Sequence, residues 1–159
     1  MEVKDMLTQF VGSRYLDDNL EAFFAKYKKE LRGTFYRGLP FPLHLLKEGA
    51  VIEEWHGSTH WTLDKEKAIG FSKDYINEEY EAELIAALGE DKVKFVNLVL
   101  YTKELEGVEL YKLLVLQNII DFIAEKEITV VGKNFEIVSI KVEDAIYYAH
   151  VKMINKEDV

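Results

Sequence analysis

The chain has 159 residues, 48% of them hydrophobic and 31% charged, enough to bury one core without disulfides or metal. It has no cysteine, which excludes disulfide frameworks, thiolate metal sites and cysteine nucleophiles. The net charge of −9 argues against nucleic acid as a partner, because no Lys/Arg run is long enough to offset it.

The first fifth of the chain reads as helical. Asp17-Asp18-Asn19 is an N-cap cluster, and Leu20, Phe23, Phe24, Tyr27 and Leu31 recur at the spacing of one helical face. Gly33 is the expected C-terminal stop. The basic cluster Lys26, Lys28 and Lys29 belongs to this stretch and is read as a solvated helix face. Thr34 to Gly38 is short and aromatic, and reads as a strand running into a turn at Gly38 and Pro40. A short helix is expected from Leu63 to Phe71, with Thr62 or Asp64 near its start, and another from Asn77 to Leu88, ended by Gly89.

The second half is mostly strand. Val96, Leu98 and Leu100 share one face of a strand from Lys94 to Tyr101. Glu127 to Val131, Phe135 to Ile140 and Ile146 to Met153 alternate similarly, with Gly132-Lys133-Asn134 as a hairpin turn. The apolar run from Leu113 to Ile123 fits helix or strand equally. Helices first and strands later point to an α+β fold in one domain spanning residues 1–159. Among the histidines (His44, His56, His60 and His150) there is no HExxH or comparable spacing, so no metal is expected. The N-terminus has no apolar h-region, and no stretch approaches the roughly 18 uncharged residues of a membrane span. A cytoplasmic location without membrane contact is the expectation.

Three places could carry chemistry. Arg37 at a strand end, followed by Gly38, suits a phosphate or ribose ligand where backbone must approach closely, and equally a surface ion pair. The hydroxyls and imidazole of Ser58-Thr59-His60-Trp61-Thr62 suit orienting a carboxylate or a ribose; a helix cap with Trp61 in the core fits as well. Glu125-Lys126-Glu127 enters a strand, so that alternation places both carboxylates on one face. Such a pair divides roles between charge stabilisation and proton handling, although an acidic chain also produces such triplets by chance.

Their order resembles the arginine–serine–glutamate class of mono-ADP-ribosyltransferases. Tyr36-Arg37-Gly38-Leu39 is similar to that class's first motif. Trp61-Thr62-Leu63-Asp64, continuing to Ala68 and Phe71, is similar to the second, and Glu125-Lys126-Glu127-Ile128 with Gly132 and Phe135 to Val138 to the third. The second motif is commonly Ser-Thr-Ser, where this chain has His60, Trp61 and Thr62; imidazole still offers one hydrogen bond to the glutamate.

The resemblance implies N-terminal helices followed by a mostly antiparallel two-sheet core. It implies NAD as co-substrate, transfer of ADP-ribose to a protein side chain, and release of nicotinamide. Glu127 would stabilise the oxocarbenium-like state through the ribose 2′-hydroxyl, Arg37 would hold phosphate and ribose, and His60 would hold Glu127. Glu125 would face the acceptor and favour arginine. Gly38, Trp61, Thr62 and Phe71 would complete the NAD site. Ile119, Ile120 and Phe122 are candidates for contact with the target protein, or else ordinary core. The small size resembles phage enzymes that modify host proteins, and fits a bacterial toxin equally. Two alternatives stay open: an inactive NAD-binding or protein-binding module altered at His60, and a glycoside hydrolase. The latter is disfavoured because carboxylates about 7 Å apart on one strand face lie on the same side of a sugar.

Overall fold

The computed structural model describes residues 2–54, 57–74, 76–119 and 125–155. In chain order the elements are α1 (Val3–Ser13), α2 (Asp18–Tyr27), β1 (Lys29–Pro42), β2 (Val51–Ile52), β3 (Ser58–Thr62) and α3 (Lys65–Ser72). There follow α4 (Glu78–Leu88), β4 (Phe95–Gly107), α5 (Leu110–Leu116), β5 (Glu127–Val131), β6 (Lys133–Glu143) and β7 (Ile146–Asn155). The fold is α+β.

Local signals set most helix starts. Asp17 caps α2 by accepting from Leu20 N–H, Asp64 caps α3 from Glu66 and Lys67, and Asn77 caps α4 from Tyr80. The end of α4 at Leu88, before Gly89, follows its signal, whereas that of α2 does not. α2 stops at Tyr27, and Leu31 continues its spacing by coincidence: the residue lies in β1, paired with Leu105. Lys28 and Lys29 are thus not a helix face. Lys28 Nζ pairs with Glu106 Oε1 at 3.4 Å, and Lys29 with Glu109. The apolar run that fitted either element begins as helix α5, whereas Ile120 to Ile123 lie outside the described residues.

The seven strands among the described residues join one mixed ladder, in the order β2-β6-β7-β4-β1-β3-β5, where a two-sheet core was expected. Every pair is antiparallel except β4 with β7. The ladder curls over one core. Trp61 of β3 meets Phe135 of β6 with ring centroids 4.7 Å apart, although β7, β4 and β1 separate those strands in the ladder. Beyond the end of β4, Val108 exchanges both backbone hydrogen bonds with Thr129 (2.8 and 2.9 Å), so β5 is gripped from two sides. Gly132-Lys133-Asn134 is not a hairpin, because β5 pairs with β3 and β6 with β2 and β7. Gly132 instead turns the chain from one side of the curl to the other, at φ 69. A second apolar cluster joins α1, α2 and α5 through Leu7, Phe10, Phe24, Leu110 and Leu114. Ile119 belongs to it and is buried, so it is core and not a docking residue.

β1 does not turn at Gly38 and Pro40 but runs on to Pro42, paired with β4 from Phe35 to that end. Pro40 is tolerated because beyond Tyr36 the strand has a strand neighbour on one side only. The other side carries α3, and it comes very close. A Cβ on Gly38 would stand 1.6 Å from the Ala68 carbonyl oxygen and 2.8 Å from Ser72 N. Gly38→Ala must therefore push α3 off the strand. It is expected to cost about 3 kcal/mol or more, read as a lowered denaturation midpoint. An unchanged midpoint would contradict this packing.

Candidate active site

One rung of the ladder gathers the three motifs. Tyr36 of β1 pairs with Thr62 of β3, and Thr62 pairs with Glu127 of β5. Arg37 thus stands beside the rung that ends on Glu127. A cavity of about 480 Å³ opens there, and Arg37, Gly38, His60, Trp61, Thr62, Phe71, Glu125 and Glu127 all line it.

Glu127, 4% exposed, lies at its floor. Three groups converge on one carboxylate oxygen: Arg14 Nη1 donates to Oε2 at 2.5 Å, Thr129 Oγ1 donates at 3.3 Å, and His60 Nδ1 lies 2.8 Å away. The imidazole is at ion-pair distance but outside good hydrogen-bond alignment. Oε1 receives no hydrogen bond among the described residues and is the oxygen left to a ligand. Burial alone would push this carboxyl up. The contacts of His60, then Arg14, outweigh it and hold Glu127 below its ordinary 4.5. Burial and the neighbouring Glu127 push Glu125 up, against the opposing charges of Arg14 and Lys67.

These directions predict opposite pH slopes of stability. Glu127, depressed in the folded state, contributes stability that is complete above pH 4.5 and lost as pH falls through its lower folded value. Glu125, raised, contributes stability present below 4.5 and lost as pH rises through its folded value. Denaturant melts across the acid range should therefore be flatter below pH 4.5 for Glu127→Gln than for wild type. An unchanged slope would contradict the hold on Glu127.

Glu125 reaches the cavity differently from what strand alternation predicts. β5 begins only at Glu127, and Lys126 takes a left-handed conformation (φ 48) that turns the chain just before it. Thr62 holds this turn: its hydroxyl donates to the Glu125 carbonyl at 2.5 Å and accepts from Asp64 N–H at 3.0 Å. The Thr62 hydroxyl is thereby engaged within the protein and positions Glu125; it is not set out for a ligand. Trp61 likewise departs from its expected role. Its indole is 1% exposed, packed on Phe135 and bonded to Thr59 Oγ1, on the opposite strand face from His60. Gly38 makes its close approach to α3. Phe71, 38% exposed, offers an aromatic face at the rim.

Arg37 lines the same cavity. Its Nη1 is shut off from solvent and has no hydrogen-bond partner among the described residues, and no carboxylate there pairs with it. Burial lowers its pKa to about 10, so it remains a cation at neutral pH. A half-buried cation lacking an anion, with one nitrogen out of water, is costly, and an anionic ligand would complete it. The cavity thus combines a carboxylate oxygen without a hydrogen bond, a cation without an anion and a second carboxylate.

Sequence reasoning missed the contribution of α1. Val11, Gly12 and Arg14 also line the cavity, and nothing in Gly12-Ser13-Arg14-Tyr15 marks an active-site residue. Ile120 and Phe122 lie outside the described residues. No helix among the described residues is long and apolar enough to cross a membrane.

No protein-family model matches this sequence, and no curated protein matches it. Solved structures do. The ADP-ribosyltransferase Vis in complex with agmatine is 19% identical, over 98% of this chain and 75% of that one, with a TM-score of 0.65. Vis toxin from Vibrio splendidus is 21% identical, over 82% of this chain and 52% of that one, with a TM-score of 0.55. The Vis complex with the M6 inhibitor gives a TM-score of 0.57 at 21% identity; there too the match spans about half of that chain, 52%. At these identities the likeness shows the fold: this chain has the fold of ADP-ribosyltransferases.

Proposed function

We propose that the protein is a mono-ADP-ribosyltransferase that takes NAD as co-substrate and transfers ADP-ribose to arginine on a protein target. The observation that carries this reading is the presence of Glu127 and an unpaired Arg37 in one cavity. A buried, ionised carboxylate with one oxygen that accepts no hydrogen bond among the described residues lines the space together with a guanidinium without an anion. A ligand with a ribose hydroxyl and a diphosphate a short distance apart satisfies both, and NAD is such a ligand.

Arg37 binds the diphosphate. Glu127 accepts the 2′-hydroxyl of the nicotinamide ribose and stabilises positive charge at C1′ as the bond to nicotinamide breaks, with its electron pair leaving on nicotinamide. His60 positions Glu127, the role the resemblance gives to a serine. Phe71 supplies a flat apolar surface for a ring. Glu125, whose proton affinity is raised, faces the acceptor and takes a proton from the incoming guanidinium as its nitrogen bonds to C1′. Vis was solved with agmatine, a small guanidinium compound, which suits this acceptor class. The protein would act in a cytoplasm, on a host protein, as phage enzymes and bacterial toxins of this type do.

Glu125 provides the test. With agmatine as acceptor, Glu125→Gln is expected to retain nicotinamide release to water and to lose transfer by about 10²–10⁴-fold. Equal loss of both activities would overturn the acceptor role, and transfer at the wild-type rate would remove Glu125 from the mechanism.

A further inference from the structure

We propose that Arg14 is an acceptor of the protein's own reaction, a self-modification site at the end of α1. The inference rests on the reading of this cavity as an ADP-ribosyl transfer site.

α1 ends on Arg14 in the left-handed conformation (φ 59, ψ 18), its N–H donating to the Phe10 carbonyl at 2.6 Å. Glycine is the unstrained residue for such a cap, and a larger side chain costs about 1–2 kcal/mol there. The residue present instead carries a guanidinium, the chemical group of the proposed acceptor. Its cap geometry delivers that group to the reacting end of the cavity. Nη1 sits 2.5 Å from Glu127 Oε2, Cζ lies 5.7 Å from the Phe10 ring centroid, and the side chain is 29% exposed. Its charge acts on both carboxylates. Phe10, in turn, is buried and fixed against Phe24.

The two oxygens of Glu127 then have different occupants. Oε2 holds the Arg14 guanidinium, and Oε1 receives the ribose 2′-hydroxyl. C1′ is the ribose atom next to that hydroxyl, so an Arg14 nitrogen becomes its neighbour when NAD binds. In the step, a guanidinium nitrogen of Arg14 bonds to C1′ while the bond from C1′ to the nicotinamide nitrogen breaks. Nicotinamide leaves neutral with the electron pair, and the proton lost from the guanidinium passes to Glu125. The products are nicotinamide and a chain with ADP-ribose on Arg14, lodged in its own cavity. Modification in this manner is intramolecular and withdraws the chain from further turnover.

The test incubates the full chain with NAD and no other acceptor, over a range of protein dilutions, and maps ADP-ribose by peptide mass spectrometry. One ADP-ribose on Arg14, formed at a rate constant independent of protein concentration, is expected. Arg14→Lys, which keeps the cation but not the guanidinium, should carry none at that position. Self-labelling confined to other residues, or a rate that scales with protein concentration, would overturn the proposal. So would an unlabelled Arg14 in protein that modifies added agmatine, an outcome that leaves the transferase reading standing. No nicotinamide release, with agmatine or without it, would instead overturn that reading along with the proposal.

Discussion

Glu127→Gln should lower nicotinamide release from NAD by about 10²–10³-fold without unfolding the protein. The amide matches the carboxylate in shape and keeps an oxygen where Arg14, His60 and Thr129 converge. What disappears is the negative charge beside C1′, which matters most when the ribose is most positive. The substitution has a stability cost too, because Arg14 loses its anion. That cost is about 1–3 kcal/mol, moderated by the partial exposure of Arg14. Nicotinamide release measured alongside a thermal melt separates the two effects. Activity within about tenfold of wild type would show that the carboxylate is not the electrostatic centre.

Arg37 is predicted to behave in the opposite sense. Removing a paired buried charge strands its partner, but Arg37 has no carboxylate partner among the described residues to strand. Arg37→Met fills similar volume without charge, so the melting temperature should stay level or rise. NAD affinity should fall by roughly 1.5–3 kcal/mol, about tenfold to a hundredfold, through loss of a charged hydrogen bond to phosphate. Calorimetric titration with NAD and a melt on the same sample decide it. A large drop in melting temperature with unchanged affinity would make Arg37 a structural residue.

The two substitutions therefore pull stability and function apart in different ways. Such a pattern is expected where a cavity holds charges for a ligand at some cost to the fold.

The strands were legible where one face is buried continuously. Val96, Leu98 and Leu100 alternate because β4 lies mid-ladder with one face in the main core, while Val99 packs with Ala68 on the other, and Glu127 marks the start of β5. Breaker signals misled where tertiary contacts override them. Gly38 and Pro40 read locally as a turn, yet pairing with β4 carries β1 through both, and the glycine serves the approach of α3. Gly132 looked like a hairpin because pairing partners are not written in neighbouring sequence.

At the site, Arg37, His60, Glu125 and Glu127 were singled out from motif order and do line one cavity. Burial was harder to read. A side chain's face depends on strand register, so the core position of Trp61 and the inward engagement of the Thr62 hydroxyl emerge only from the ladder. Arg14 left no trace, because an arginine after a helix is ordinary and its meaning lies in a contact 113 residues away.

Nicotinamide release from NAD by the purified wild-type chain, measured with agmatine present, decides between a transferase and a binding module. Steady release is expected of a transferase, matched by ADP-ribose appearing on agmatine. NAD that binds the chain but stays intact would contradict it and leave a binding module in the place of an enzyme.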